Sequence, residues 1–210
     1  MKLQVDVGHY FRPSYDTKER FISYWYQIDE IISLRPPTIL EVGVGNKLVL
    51  DYLKKCGYKI TSLDIDEGLN PDYVGTILEM PFPDSSFEVV AAYEVLEHLP
   101  YEKFSDALSE IHRVSSEYAV LSLPDATRVY EFYLRVPKMG VFKRLITIPR
   151  LNPVEHIFNG EHYWEIGKAG YPLKRILHAI DTAGFKVIKT YQVFENPYHR
   201  FFVLGKVKKA

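Results

Sequence analysis

A glycine turn between an apolar run and a helical pattern constrains this chain more than any other feature. The segment TILEVGVGNKLVLDYLKKCGYKITSLDIDEG runs from Thr38 to Gly68. It passes from a short apolar run through Gly43 and Gly45 into a helical pattern, and a second apolar run ends at Asp64. A strand, a turn, a helix and a second strand form a βαβ unit, which implies parallel strands joined by a right-handed crossover.

The same segment predicts a ligand with a nucleoside half and an anionic group. Glycines have no Cβ, so backbone amides at Gly43 and Gly45 can come close to a ligand. The helix that follows favours negative charge at its N-terminus. Asp64 closes the second strand about 20 residues further on, where an acid can accept hydrogen bonds from ribose hydroxyls. We expect this ligand at the carboxyl ends of the strands.

The remaining chain continues the alternation of strands and helices. Three further strands are expected in YVGTIL, SSFEVVAAYEVL and EYAVLSLP, with an amphipathic helix in YEKFSDALSEIHRV. Near the end, FKVIKTYQVF and RFFVLGKVK are separated only by ENPYH. A connection this short fits an antiparallel hairpin and is too short for a parallel crossover. The predicted fold class is α/β, a Rossmann-like doubly wound sheet that is mostly parallel and carries an antiparallel C-terminal hairpin strand.

A chain of 210 residues fits one domain. We divide it into an N-terminal flap and helix (1–36), a ligand-binding core (37–124), a cap insertion (125–170) and a C-terminal helix and hairpin (171–210). In the first helix, Asp16 is the expected N-cap, and Phe21, Trp25, Ile28 and Ile32 form the expected apolar face. The cap insertion shows no clean strand pattern, and we expect it to lie over the strand ends.

Composition excludes several classes of protein. The formal net charge of −1 argues against a strongly electrostatic nucleic-acid binder. No run approaches about 18 consecutive apolar residues, so no membrane span is expected. The N-terminal segment lacks the apolar core of a signal peptide. The single cysteine, Cys56, leaves no disulfide framework and no cysteine-based metal cluster, which favours a reducing, cytoplasmic location.

Three motifs carry a family resemblance. ILEVGVGNK resembles motif I of the class I S-adenosylmethionine-dependent methyltransferases, in which Glu41, Gly43 and Gly45 match and Lys47 replaces a third glycine. ITSLDID is similar to the second motif. MPFPDSSFEVVAAYEVLEHLP resembles the block LPFPDxSFDxVxxxxVLEHL of the branch called methyltransferase type 11. The resemblance covers residues 37–124 well and the C-terminal hairpin loosely. It implies a methyltransferase that uses S-adenosyl-L-methionine.

The resemblance also implies roles for individual positions. It places nine residues at the cofactor: Glu41, Gly43, Gly45, Asp64, Ile65, Ile77, Leu78, Tyr93 and Glu94. The first three would lie beside the methionine part, Asp64 would bind the ribose, the next three would line the adenine pocket, and the last two would border the methionine part. His98 would lie near the transferred methyl group. Because an imidazole has a pKa near neutrality, His98 is the candidate general base, and a purely structural role is the alternative.

The acceptor side is expected in the cap insertion. NPVEHIFNGEHYWEIG contains two Glu-His pairs, and we select His156 and His162 as contacts of a small-molecule or metabolite-like acceptor. The spacing of these histidines differs from the i, i+4 spacing of zinc-binding helices, and no third ligand is evident, so no metal is expected. The alternative is that these residues only dock the insertion. The atom that is methylated and the oligomeric state do not follow from the sequence.

Two departures from the family pattern support a different function. Lys47 stands where glycine is usual, so it is either strained by a positive φ or positioned to meet the cofactor carboxylate. Thr76 stands where an acid often contacts the adenine. The first alternative is therefore a catalytically degenerate protein that binds an S-adenosyl ligand or has a regulatory role. The second is an NAD-dependent oxidoreductase, although Leu48 occupies the third glycine position of its G-x-G-x-x-G fingerprint.

Overall fold

The computed structural model of the chain describes residues 4–148, 152–158 and 160–207. It has four helices, α1 Lys18–Leu34, α2 Leu48–Lys55, α3 Phe104–Val114 and α4 Leu173–Thr182, within these ranges. The strands of the same ranges are β1 Ile39–Val42, β2 Ile60–Asp64, β3 Tyr73–Val74, β4 Phe87–Tyr93, β5 Ser115–Pro124, β6 Val129–Val136, β7 Gly140–Thr147, β8 Phe185–Val193 and β9 Asn196–Lys206.

Seven of these strands form one sheet in the order β3–β2–β1–β4–β5–β9–β8. The five strands from β3 to β5 are parallel, and β9 is antiparallel to both β5 and β8. The mostly parallel sheet and its antiparallel C-terminal hairpin confirm the predicted fold class. The strand order reverses between β1 and β4, and ligands of open α/β sheets bind at such a switch point.

Helices cover both faces of the sheet. On one face, Phe104 and Leu108 of α3 and Ile176 of α4 pack with the buried strand residues. On the other face, Ile31 of α1 and Leu53 of α2 pack with the opposite set of strand side chains. Because both faces are covered, the central strands are buried along continuous apolar runs rather than at alternate positions.

The buried face of α1 differs from the expected one. Phe21 and Trp25 are 50% and 58% exposed, whereas Tyr24, Gln27 and Glu30 are buried. Glu30 can be buried because its Oε1 accepts hydrogen bonds from Lys189 Nζ and Tyr191 OH, each at 2.6 Å. A buried acid with partners on β8 cannot be recognised from the periodicity of α1 alone, so the polar face was wrongly assigned to solvent.

The N-cap of α1 is Thr17 rather than Asp16. Thr17 Oγ1 accepts the hydrogen bond of Arg20 N at 3.3 Å. The Asp16 carboxylate instead accepts hydrogen bonds from Tyr24 OH and Asn46 Nδ2, both at 2.9 Å. Asp16 therefore ties α1 to the glycine turn after β1.

The cap insertion contains a β-hairpin that the sequence pattern did not predict. β6 and β7 pair only with each other, in register from Val129 opposite Thr147 to Val136 opposite Gly140. The turn uses positive φ at Lys138 and Gly140. The prediction of no strand was wrong because both faces of this hairpin carry large side chains. Tyr133 and Val141 stand among the polar residues of one face and Arg144 among the apolar residues of the other, so the alternation is not clear.

No helix within the described residues is long and apolar enough to cross a membrane.

Candidate active site

A cavity of about 250 Å³ opens at the carboxyl ends of β1, β2 and β4. Ten of the residues selected from the sequence line it: Glu41, Gly43, Gly45, Asp64, Ile65, Ile77, Tyr93, Glu94, His98 and His162. Leu78 and His156 are not among the described residues of its lining. Leu78 packs against the core cluster beneath, and His156 Nε2 lies 2.8 Å from the carbonyl oxygen of His162, so His156 contacts the site through His162.

The glycine turn leaves no room for a side chain at Gly43. Gly43 and Gly45 have φ of 81° and 47°. A Cβ on Gly43 would lie 2.5 Å from Cγ2 of Val95, so the turn after β1 and the turn after β4 touch through a glycine. This contact positions the backbone of both turns at the edge of the cavity.

Asp64 joins the ends of β1 and β2. Its Oδ2 accepts a hydrogen bond from Val44 N at 2.8 Å, and its Oδ1 accepts one from Asp66 N at 2.9 Å. Burial raises the pKa of Asp64, although these backbone amides oppose the shift. A carboxylate oxygen has two lone pairs, so each oxygen retains acceptor capacity for a ligand hydroxyl.

Glu41 is a buried acid with an unfilled oxygen. Its side chain is 4% exposed, and Oε2 has no hydrogen-bond partner among the described residues. Burial raises the pKa of Glu41 to about 8. A buried carboxyl of this kind holds its proton at neutral pH until a cationic group approaches and stabilises the charged form.

Glu94 turns into the cavity from a strained backbone. It has φ of 52°, a conformation that non-glycine residues rarely adopt. Its Oε2 lies 3.8 Å from His199 Nε2, and its Oε1 is buried without a hydrogen-bond partner in the part of the chain described. Strain of this kind concentrates at functional sites.

His98 presents one ring nitrogen to the cavity as an acceptor. Its Nδ1 lies 2.7 Å from Gln4 Oε1 and 3.1 Å from the carbonyl oxygen of Glu161. A carbonyl oxygen can only accept, so Nδ1 must carry the proton. Burial and the neighbouring His162 lower the pKa of His98. A neutral ring with its proton on Nδ1 has a free lone pair on Nε2, which is the arrangement of a general base.

Acidic residues surround the two histidines. The rings of His98 and His162 lie 5.1 Å apart, and His162 Nδ1 lies 3.3 Å from Glu165 Oε1. Glu97 is fully buried beneath them, and its burial and the nearby Glu94 raise the pKa of its carboxyl. One ligand atom each of Glu97, His98 and His162 lies within 4.8 Å of the others, a spacing that would also admit a metal ion.

The N-terminal segment supplies lining residues that the motifs do not reveal. Tyr10 and Tyr15 lie beside Gly45, within 3.7 and 3.9 Å of the position its Cβ would take. Arg20 stacks its guanidinium on the Tyr15 ring at 3.9 Å and is the only lysine or arginine among the described lining residues. Tyr198 and His199 reach the cavity from β9. These residues are distant in sequence from the glycine turn, and only the fold brings them to it.

The two departures from the family pattern do not fill the cavity. Lys47 has φ of 62° and is the N-cap of α2, and its Nζ donates a hydrogen bond to the carbonyl oxygen of Asn70. Thr76 Oγ1 accepts a hydrogen bond from Leu78 N at 3.3 Å. Neither residue is among the described lining, so the positive φ expected at Lys47 is present but its ammonium points to a loop carbonyl.

Known proteins resemble this chain in sequence. Residues 40–122 match the family described as "Methyltransferase domain". A ubiquinone biosynthesis O-methyltransferase of Nitrosococcus oceani is 25% identical over 171 residues, which are 64% of this chain and 71% of that protein. A probable S-adenosylmethionine-dependent methyltransferase of Mycolicibacterium smegmatis is 26% identical over 82% of this chain, and the match spans 63% of that protein.

Solved structures share the fold at low identity. Magnesium protoporphyrin IX methyltransferase from Synechocystis PCC 6803, with bound S-adenosylhomocysteine, has a TM-score of 0.64 at 15% identity and covers 95% of this chain and 94% of its own. A Burkholderia thailandensis N-methyltransferase with bound 1,6-didemethyltoxoflavin and S-adenosylhomocysteine has a TM-score of 0.62 at 12% identity. The match covers 96% of this chain and 85% of that chain. These likenesses support the methyltransferase prediction and leave the oxidoreductase alternative without support. The chain is therefore similar to class I S-adenosylmethionine-dependent methyltransferases, in sequence over residues 40–122 and in the fold of its sheet.

Proposed function

We propose that the enzyme transfers the methyl group of S-adenosylmethionine to a hydroxyl oxygen of a small, uncharged acceptor, with His98 Nε2 as the general base. The observation that carries the proposal is the tautomer of His98, which two acceptor oxygens fix with the proton on Nδ1. A hydroxyl must lose its proton during methylation, whereas a neutral amine or a preformed carboxylate attacks without a base. A neutral imidazole beside the cavity is therefore most useful to a hydroxyl acceptor.

The lining offers a complementary group for each charged or polar part of the cofactor. Asp64 can accept hydrogen bonds from the ribose hydroxyls. Glu41, with its unfilled oxygen, suits the ammonium of the methionine part. Arg20 suits the carboxylate, because it is the only lysine or arginine of the described lining. This arrangement orients the sulfonium without a covalent step.

The chemical step needs positioning and one proton acceptor. The acceptor oxygen attacks the methyl carbon in line with the C–S bond, so an O–C bond forms while the C–S bond breaks and its electron pair returns to sulfur. The hydroxyl proton passes to His98 Nε2. The ring then carries a positive charge, which the acids Glu94 and Glu161 stabilise electrostatically. Much of the rate enhancement can come from holding the two reacting atoms in line.

The charges of the cavity favour an uncharged acceptor. Asp66, Glu94 and Glu161 lie in the lining, against the single guanidinium of Arg20. If Arg20 binds the cofactor carboxylate, no lysine or arginine of the described lining remains to bind a phosphate or a carboxylate on the acceptor. Relatives named as ubiquinone biosynthesis O-methyltransferases support a hydroxyl acceptor.

The test is a turnover assay with matched acceptors. The purified protein is incubated with S-adenosylmethionine and, separately, with catechol, aniline and benzoate of the same ring size, and S-adenosylhomocysteine and the methylated atom are identified by mass spectrometry. We expect methylation of the hydroxyl compound. His98→Gln should lower kcat by about 10²–10⁴-fold while S-adenosylhomocysteine still binds. His178→Gln, at an exposed position on α4, is the matched control.

Three results would contradict the proposal. Methylation of the amine or the carboxylate in preference to the hydroxyl would remove the need for a base. Loss of turnover in EDTA, restored by a divalent cation, would mean that Glu97, His98 and His162 bind a metal ion. His98 would then be a metal ligand and not the general base. Full activity of His98→Gln would equally rule out His98 as the base.

A further inference from the structure

The hairpin of β6 and β7 has an outward face that is almost entirely apolar. Alternate side chains of a strand point to the same face, so Tyr130, Phe132 and Leu134 share one face with their partners across the hairpin, Ile146, Arg144 and Phe142. The five apolar members are 46–52% exposed. We call these six residues the hairpin's apolar face.

The opposite face of the hairpin is tethered to the rest of the molecule through one side chain. Lys143 lies on that face, and its Nζ donates to Glu195 Oε1 at 2.6 Å, in the turn between β8 and β9. Leu145, on the same face, is partly buried. Tyr133 and Val141 of the same face are 55% and 47% exposed, so the ion pair of Lys143 tethers the hairpin without covering it, and the apolar face is left open to solvent.

The hairpin also carries a concentration of positive charge. Between residues 128 and 147 there is a single acid, Glu131, and five cations: Arg128, Arg135, Lys138, Lys143 and Arg144. The segment has a net charge of +4 in a chain whose formal charge is −1, so the other residues together carry −5. Arg144 lies on the apolar face and Lys138 lies at the turn, where an anionic surface would contact them together with the apolar side chains, whereas Arg135 and Lys143 lie on the opposite face.

We propose that the hairpin's apolar face docks on a lipid bilayer that contains anionic headgroups. Aromatic and aliphatic side chains would enter the boundary between headgroups and acyl chains, and the cations would pair with lipid phosphates. A second copy of the chain fits less well, because pairing two hairpins would bring together two segments that each have a net charge of +4. β6 and β7 each have one unpaired edge, so the hairpin lies in the interface and does not enter the hydrocarbon core.

The hairpin is close to the mouth of the active site. Glu195, which anchors Lys143, is followed by Asn196 and Tyr198, which line the second, more open cavity beside the first. Between the hairpin and the cavity residues Glu161 and His162 in sequence, Val154, Ile157 and Phe158 are also exposed apolar side chains. Docking would therefore place the cavity mouth near the bilayer surface, where apolar acceptors concentrate. The docking itself does not depend on which acceptor is methylated.

The test is sedimentation with vesicles. The protein is mixed with vesicles of phosphatidylcholine alone or with roughly one third phosphatidylglycerol, and the bound fraction is measured at low and high salt. We expect binding only to the anionic vesicles, weakened by salt. The double substitution Leu134→Ser with Phe142→Ser should abolish it, and each change of Lys138 or Arg144 to alanine should weaken it about fivefold. Phe21→Ser with Trp25→Ser, an equally exposed pair on α1, is the matched control.

Each outcome decides the proposal. Binding of S-adenosylhomocysteine by every variant shows that the fold is intact, and it is independent of the vesicle result. Equal binding to neutral and anionic vesicles, or loss of binding in the α1 control alone, would overturn the assignment to the hairpin. No vesicle binding, together with a dimer in solution that the Leu134 and Phe142 changes dissociate, would assign the face to a second copy instead.

Discussion

Asp64 has two roles, since its carboxylate is available to bind the ligand and also holds the glycine turn. Its oxygens already accept hydrogen bonds from Val44 N and Asp66 N, so substitution removes a ligand contact and also loosens the glycine turn. Asp64→Asn keeps one acceptor oxygen and should weaken S-adenosylhomocysteine binding by about 1.5–3 kcal/mol, the range for a hydrogen bond to a charged group. Asp64→Ala should weaken it further. Calorimetric titration measures both.

The control for this prediction is Asp181→Asn, an exposed acid at the end of α4. The Asp181→Asn variant should bind S-adenosylhomocysteine with the affinity of the unmodified protein. If Asp64→Asn also bound with unchanged affinity, Asp64 would be a structural residue of the turn and the ribose hydroxyls would have another acceptor.

Glu41 gives the protein a stability that depends on pH. Its carboxyl has a folded-state pKa of about 8, above the ordinary value of 4.5. Between these values the folded protein holds a proton that the unfolded chain has lost, so the free energy of unfolding falls as pH rises from 4.5 to 8. One such group contributes a slope of at most about 1.4 kcal/mol per pH unit.

Glu41→Gln should therefore flatten this dependence and make the unliganded protein more stable than the unmodified chain at pH near 8. Urea unfolding across the window, without cofactor, measures it. Glu155→Gln, an exposed acid of the cap insertion, should leave the slope unchanged. An unchanged slope in Glu41→Gln would mean that Glu41 is ionised in the folded protein.

At the level of a single element, α2 begins with a residue that its backbone disfavours. Lys47 is an N-cap with φ of 62° and makes no side-chain capping bond. A left-handed conformation costs an L-residue roughly 1–2 kcal/mol, and glycine avoids most of that cost. Lys47→Gly should be about 1 kcal/mol more stable than Lys47→Ala, since both lose the bond to Asn70 and only alanine keeps a Cβ. Thermal unfolding of the two variants compares them, and equal stabilities would contradict the strain.

Elements that follow from a continuous pattern could be predicted, and elements that depend on distant partners could not. β1, β2 and β4 are rich in apolar residues and are each bounded by turn or helix signals, so their place in a buried sheet could be predicted. The buried face of α1 depends on Lys189 and Tyr191 of β8, and no pattern within α1 contains that fact. The hairpin of β6 and β7 was missed because large side chains on both of its faces obscure the period of two.

For the whole molecule, the residues of the active site divide in the same way: some belong to one continuous segment, and others are brought together only by the fold. Gly43, Gly45 and Asp64 belong to one continuous βαβ segment, so spacing alone placed them together. Arg20 and Tyr198 come from α1 and β9, and they meet the glycine turn only because the sheet brings those elements to one edge. The lining residues of the βαβ segment were therefore accessible from sequence, and those that α1 and β9 contribute were not.

The position of β9 has a consequence for how the protein is made. β9 is the last strand that the structure describes, yet it lies inside the sheet, between β5 and β8. During synthesis, one edge of β5 stays unpaired until β9 has left the ribosome. Among the described strands β8 pairs only with β9, so it cannot join the sheet before then. Pairing of this kind between late and early segments is slow and exposes a strand edge. The nascent chain should therefore depend on chaperones until β9 is inserted, and premature termination before β9 should give an aggregating product.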